Sequence, residues 1–167
     1  MRNRFCLLPF TCCLFLGALL FFPQRAAADV TGFIGVNPTP ANRPVKGFAV
    51  GAGLLIVGFE FEYANTSEDV TQAAPALHTY MFNGLAQTPF AIAGLQPYAT
   101  IGGGVYHETL SAPAASETNV GTNVGGGAKI SLAGPLRLRV DYRVFKLRGS
   151  PLHSTVQRFY AGINLKF

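Results

Sequence analysis

A chain of 167 residues leaves room for one domain and a short leader, since domains commonly run to about 100–150 residues. Hydrophobic residues make up 49% of it and charged residues only 13%, with 19 glycines and 14 phenylalanines, a balance suited to a protein partly solvated by lipid. The formal charge of +5 falls to +2 once Arg2, Arg4 and Arg25 are set aside with the leader, which leaves ten basic residues against eight acidic and no electrostatic case for a nucleic-acid partner.

The leader comes first in the chain. Arg2 and Arg4 form a positive start, Phe5 to Phe22 is an uncharged apolar stretch interrupted by Pro9, and Ala26-Ala27-Ala28 supplies small residues before Asp29. These features predict a signal peptide over residues 1–28, cut between Ala28 and Asp29, and a single domain over 29–167. An uncleaved anchor is the rival reading, and the small-residue site with the abrupt change of pattern after Asp29 weighs against it. Cys6, Cys12 and Cys13 all lie in the leader, so the mature chain has no thiol for a disulfide or metal site. Neither Cys12 nor Cys13 follows the Leu-x-small pattern of a lipoprotein cleavage site.

After Asp29 apolar residues recur at every second position, the period of a strand. Eight strands are predicted, over 30–36, 46–54, 57–64, 78–86, 95–109, 118–132, 135–147 and 154–167. In the first, second and fourth, mixed patterns leave open which face points inward. The third sets Val57, Phe59, Phe61 and Tyr63 against Gly58, Glu60, Glu62 and Ala64, with charge confined to one face. The fifth alternates around Tyr98, Thr100, Gly102, Gly104 and Tyr106, and the sixth around Asn123, Gly125, Gly127 and Lys129; glycines on an inner face make room in a narrow tube. In the seventh, Leu136, Leu138, Val140, Tyr142 and Val144 oppose Arg137, Arg139, Asp141 and Arg143. In the eighth, Phe159, Ala161, Ile163, Leu165 and Phe167 oppose Arg158, Tyr160, Gly162, Asn164 and Lys166. Lipid outside and a polar lumen inside produce this split, and the expected fold is an all-β, eight-stranded, antiparallel up-and-down transmembrane barrel. Long connections at 37–45, 65–77, 110–117 and 148–153 are expected at the outer end. The tight turn at 55–56, the longer link at 87–94 and the turn around Gly134-Pro135 belong to the periplasmic end.

With Gly47-Phe-Ala-Val-Gly-Ala-Gly53, Phe-Glu-Phe-Glu-Tyr at 59–63, Asn83, Pro97-Tyr-Ala-Thr-Ile-Gly-Gly-Gly104 and terminal Phe167, the chain resembles the OmpA-like outer-membrane β-barrel family. The likeness spans nearly all of Asp29 to Phe167 and implies a small surface barrel of a Gram-negative bacterium. It implies that Phe159, Ile163, Leu165 and Phe167 act as the signal read by the barrel-assembly machinery. The partners it implies are outer-membrane lipid and lipopolysaccharide, with periplasmic chaperones during biogenesis, around a monomer. In two respects the sequence departs from the family: no peptidoglycan-binding domain is expected after Phe167, and the loops are short for an adhesin.

Assigning inner faces this way gathers Glu60, Glu62, Lys129, Arg137, Arg139, Asp141, Arg143, Arg158 and Lys166 inside one tube. Strands three and seven stand opposite each other in an eight-stranded ring, so the arginines are expected to meet the glutamates and plug the lumen; charges solvated one by one are the alternative. Tyr63, Tyr142, Phe159 and Phe167 are expected on the outside as interface aromatics. His78, His107 and His153 fall near the outer strand ends, and His107-Glu108 with Ser111 is the nearest approach to a hydrolase constellation. No nucleophile motif accompanies them, and the histidines lack ligand spacing, so neither catalysis nor a metal or other cofactor is expected. The runs Gly102-Gly-Gly104 and Gly125-Gly-Gly127 open no helix and precede no Lys-Ser/Thr, which makes them strand glycines rather than phosphate loops. The resulting expectation is a structural or surface-interaction protein of the outer membrane. A narrow or gated pore, a lipid-modifying enzyme and a soluble lipocalin-like barrel are the alternatives.

Overall fold

The computed structural model describes residues 27–167, so the expected leader lies outside the described residues except for Ala27 and Ala28, which open the first strand. Eight strands follow one another: β1 Ala27–Asn37, β2 Arg43–Leu54, β3 Val57–Thr66, β4 Ala76–Gln87, β5 Leu95–Leu110, β6 Ala115–Ala133, β7 Leu136–Leu147 and β8 Thr155–Lys166. Each pairs antiparallel with the next, and β8 pairs with β1, so the sheet closes on itself and has no free edge. The β1 strand begins two residues before the expected start of the mature chain.

The alternation of side chains explains the closure. Ile34, Phe59, Phe82 and Ile101 stand outside at about 70% exposure, whereas Arg139, Arg143 and Arg158 are 0% exposed inside. Such an inverted distribution is stable only where the surrounding medium is itself apolar, because lipid replaces the contacts a soluble core provides. The three registers left open by the sequence are now defined. Thr31 and Phe33 of β1, Val45 and Ala49 of β2, and Leu77, Thr79, Met81, Asn83 and Leu85 of β4 face the lumen. Their outward neighbours include Ile34, Val50 and Phe82, equally apolar, which is why periodicity alone did not separate the faces.

At some positions neighbouring strands approach too closely for any residue but glycine. A Cβ on Gly104 would fall 1.9 Å from the Tyr80 carbonyl oxygen on the neighbouring strand, so no larger residue fits without moving backbone. Tight connections at 55–56 and 134–135 use left-handed backbone at Leu55 and Gly134 and lie at the same end as both described termini. The loops of the other end are tied to one another by carboxylates. Glu68 accepts from the backbone N–H and hydroxyl of Ser111, Glu108 from the Leu152 N–H at 2.8 Å, and Glu117 from the Ser150 N–H at 3.1 Å. In the first of these loops Asp69 caps the short 3-10 turn Val70–Gln72, and the hydrogen bond from the Thr71 hydroxyl, helped by the Thr71 and Gln72 N–H groups, holds its carboxyl below the usual aspartate value.

Candidate functional site

The middle of the lumen is filled by charge. The period of two puts Arg139, Asp141 and Arg143 on one inner line of β7, Glu60 and Glu62 on β3, and Arg158 with Tyr160 on β8. Arg139 crosses the tube to Glu60, using both terminal nitrogens, with Nη2 at 3.2 Å from Oε1, and also reaches Asp141 at 3.1 Å. From Arg143, Nε donates to Asp141 at 2.9 Å and Nη2 to Glu60 at 3.0 Å. Its Nη1 lies 3.1 Å from Glu62, close enough for an ion pair but not aligned as a hydrogen bond. Arg158 closes the set on Glu62 at 3.1 Å and on the Thr79 hydroxyl at 3.1 Å, its guanidinium lying over the Phe145 ring.

Three guanidinium groups thus meet three carboxylates, Glu60, Glu62 and Asp141, and the charges of this layer cancel. Burial of so many ions is tolerable only because nearly every polar atom has a partner, for an ion withdrawn from water without one costs several kcal/mol. Two tyrosines complete that account. The Tyr98 hydroxyl donates to Asp141 and accepts from Arg139 Nε at 2.7 Å, while the Tyr160 hydroxyl bridges Glu62 and Asp141, each at 3.1 Å. Both rings also lie against guanidinium groups, Tyr98 and Tyr160 at 5.0 and 5.6 Å from Arg139.

Three of the expected interior charges stand apart from this layer, toward the end with the termini. Lys129 pairs with Asp29 at 2.5 Å, and Arg137 donates to the Gln96 side chain at 2.9 Å rather than to a carboxylate. Lys166 requires a correction: it is exposed at the rim, because β8 ends there and its side chain has passed beyond the wall that would cover it. On the other side of the ionic layer the interior holds an apolar cluster beside a few buried polar groups, among them Asn37 bonded to Thr66 and Arg43 bonded to backbone carbonyls. Leu77, Met81, Tyr106, Phe145, Leu147 and Val156 form a buried cluster beneath the loops. Between the layers Asn123 of β6 donates to Asn83 of β4 at 2.8 Å over Gly102 of the intervening strand.

The remaining singled-out residues lie outside or above the lumen. His107 and Glu108 project from opposite faces of β5, His107 to the Thr118 hydroxyl at 2.6 Å, while Ser111 is held by Glu68; the three do not converge. His78 contacts the Tyr63 hydroxyl at 3.1 Å on the outer wall. Tyr142 and Phe159 pack outside as a tilted pair, 4.4 Å between centroids, and Phe159, Ile163, Leu165 and Phe167 line the outward face of β8 and its end. Asp29, Tyr98, Tyr160 and Gln96 were not singled out as partners in the charge network. Tyr98 and Tyr160 already stood on inward-facing positions beside the charges, and that placement was the available signal. Asp29 stands just before the first expected strand, whose inward face the pattern leaves open, and its sequence position marks it only as a cleavage neighbour.

No family model matches the chain, and no curated protein matches its sequence. Among solved structures it is similar to the N-terminal β-barrel domain of Pseudomonas aeruginosa OprF, with a TM-score of 0.67 at 15% identity, covering 86% of this chain and 99% of that one. Neisserial surface protein A aligns with a TM-score of 0.59 at 15% identity, over 85% of this chain and 96% of its own. The outer membrane enzyme PagL aligns with a TM-score of 0.53 at 14% identity, over 82% and 98%. At these identities the likeness speaks to fold alone: the chain is a closed, eight-stranded antiparallel β-barrel, the fold it shares with these small outer-membrane proteins.

Proposed function

We propose that this chain is an integral protein of the bacterial outer membrane with a structural or surface-interaction role and a lumen that does not conduct. The observation that carries the reading is the ionic layer, in which Arg139, Arg143 and Arg158, all 0% exposed, are locked to Glu60, Glu62 and Asp141, none more than 3% exposed. An eight-stranded ring is only about wide enough for its own side chains. To pass, an ion has to part buried pairs whose separation costs several kcal/mol each, and then to cross the apolar cluster around Phe145. The surface work of such a protein falls to the tied loops and the lipid-facing wall rather than to a catalytic centre. Residues 1–28 serve in this reading as the export signal, with periplasmic chaperones and the barrel-assembly machinery as the partners of biogenesis.

Single-channel recording in planar bilayers tests the closed lumen. The wild-type barrel is expected to show no steady conductance at moderate voltage, and Glu60→Ala to introduce transient openings by leaving Arg139 and Arg143 short of a partner. A stable open level in the wild type overturns the closed reading in favour of a narrow pore.

A further inference from the structure

Below the ionic layer lies a cup of about 130 Å³ that opens at the end carrying the termini. One side of its wall is bare backbone, since Gly51, Gly53 and Gly58 of β2 and β3 bring no side chains into it. The opposite side carries Lys129 and Arg137, with Lys166 at the mouth. Two carboxylates also line the cup, and both are already engaged: Asp29 by Lys129, and Glu60 by Arg139 and Arg143. The ionic layer is neutral and the Lys129–Asp29 pair is neutral, which leaves Arg137 and Lys166 without a side-chain carboxylate partner among the described residues. Among the described residues Arg137, 92% buried, has no carboxylate partner; Nη1 donates to Gln96, and the Nε–H has no acceptor. A guanidinium held in a pocket with an unused donor, and a second cation above it, is the arrangement that receives an oxyanion, because the planar group offers paired donors matching carboxylate or phosphate oxygens.

We infer that the cup is a binding site for a small oxyanion, a phosphate or carboxylate group presented from the periplasmic side, with Arg137 as the buried contact and Lys166 as the cation at the entrance. The site lies on the opposite side of the ionic layer from the surface loops, so it stands whether or not those loops have a partner. Its uncompensated cations attract an anion that passes the mouth, and the closed floor formed by Glu60 and Arg139 stops it there.

The test is calorimetric titration of the folded full chain in a zwitterionic detergent with inorganic phosphate in one arm and acetate in the other, at matched ionic strength with chloride as the reference. Saturable binding of at least one oxyanion is expected, and the arm that responds identifies the group. Loss of one charge-assisted contact of about 1.5–3 kcal/mol corresponds to tenfold or more, so Arg137→Gln should weaken binding at least about tenfold. Lys166→Gln, at an exposed position that leaves folding intact, should weaken it severalfold. Lys146→Gln, on the outer wall at the far end, should leave it unchanged. An equal response to chloride, no saturable binding in either arm, or undiminished binding in Lys166→Gln together with a folded Arg137→Gln overturns the site.

Discussion

Glu60 receives Arg139 and Arg143 at once, so its carboxylate holds two cations from one strand in place across the tube. Replacing it by alanine leaves both guanidinium groups buried with unmet charge, and breaking a buried pair in this way costs about 3–5 kcal/mol. Converting Arg139 to methionine in the same molecule removes one of the stranded charges, so the double variant should lose less stability than the two single losses added together. Equilibrium unfolding of the four proteins of that cycle in detergent measures the difference, and strict additivity shows that the charges act independently. The sequence placed Glu60 and Arg139 on inner faces because each sits between apolar neighbours, Phe59 and Phe61 in one case and Leu138 and Val140 in the other. It gave no such sign for the pairing of Lys129 with Asp29, which lie 100 residues apart and meet only when the ring has closed. Arg137 carries the same alternation signal as Arg139, yet meets an amide, since which inward group lies opposite depends on the stagger of the strands and not on the face.

Strands reveal themselves in sequence to the extent that their two faces differ. Every strand of the seven-to-eight hairpin presents charge or amide on one side and aliphatic or aromatic groups on the other, and there the paired register Leu138↔Ile163 falls on the lipid side. Leu138→Arg or Ile163→Arg should therefore destabilise the barrel by about 2–4 kcal/mol if the site is at mid-bilayer depth. Equal tolerance of arginine at Leu138 and of leucine at Arg139 in a lipid unfolding titration contradicts this register. In β4 the inner face holds Leu77, Met81 and Leu85 and the outer face Tyr80 and Phe82, so hydrophobicity is nearly uniform and the direction emerges only from pairing with β3 and β5. The end of β8 has a further role. The Phe167 N–H donates to the Ala28 carbonyl at 2.8 Å, next to the β1–β8 pairing that closes the ring. Deleting Phe167, or changing it to alanine, should lower the amount of folded protein recovered from outer membranes, as read by quantitative immunoblotting of unheated samples; recovery at the wild-type level rejects the assembly role.

Along its axis the whole molecule has three interior layers: an apolar cluster under the tied loops, a neutral ionic layer, and a cationic cup. The eight strands and their closed order followed from alternation and from the spacing of turns, whereas the layering did not, because it depends on how far along its strand each inward residue sits. A mechanical consequence follows from the middle layer. The sheet joins each strand only to its neighbours, but the side chains bind β7 to β3 through Arg139, β8 to β4 through Arg158, β5 to β7 through Tyr98, and β6 to β1 through Lys129. They act as spokes in a wheel whose rim is the hydrogen-bonded ladder. When the last hairpin is pulled away, β7 and β8 take with them every arginine of the hub, and the carboxylates of β3 are left without counter-charges. Peeling one hairpin thus loosens strands that are still zipped on both sides. Pulled from its C-terminus in a supported bilayer, the wild-type barrel should give way in one large event, and the Glu60→Ala/Arg139→Met barrel hairpin by hairpin; identical force traces from the two place all the cohesion in the rim.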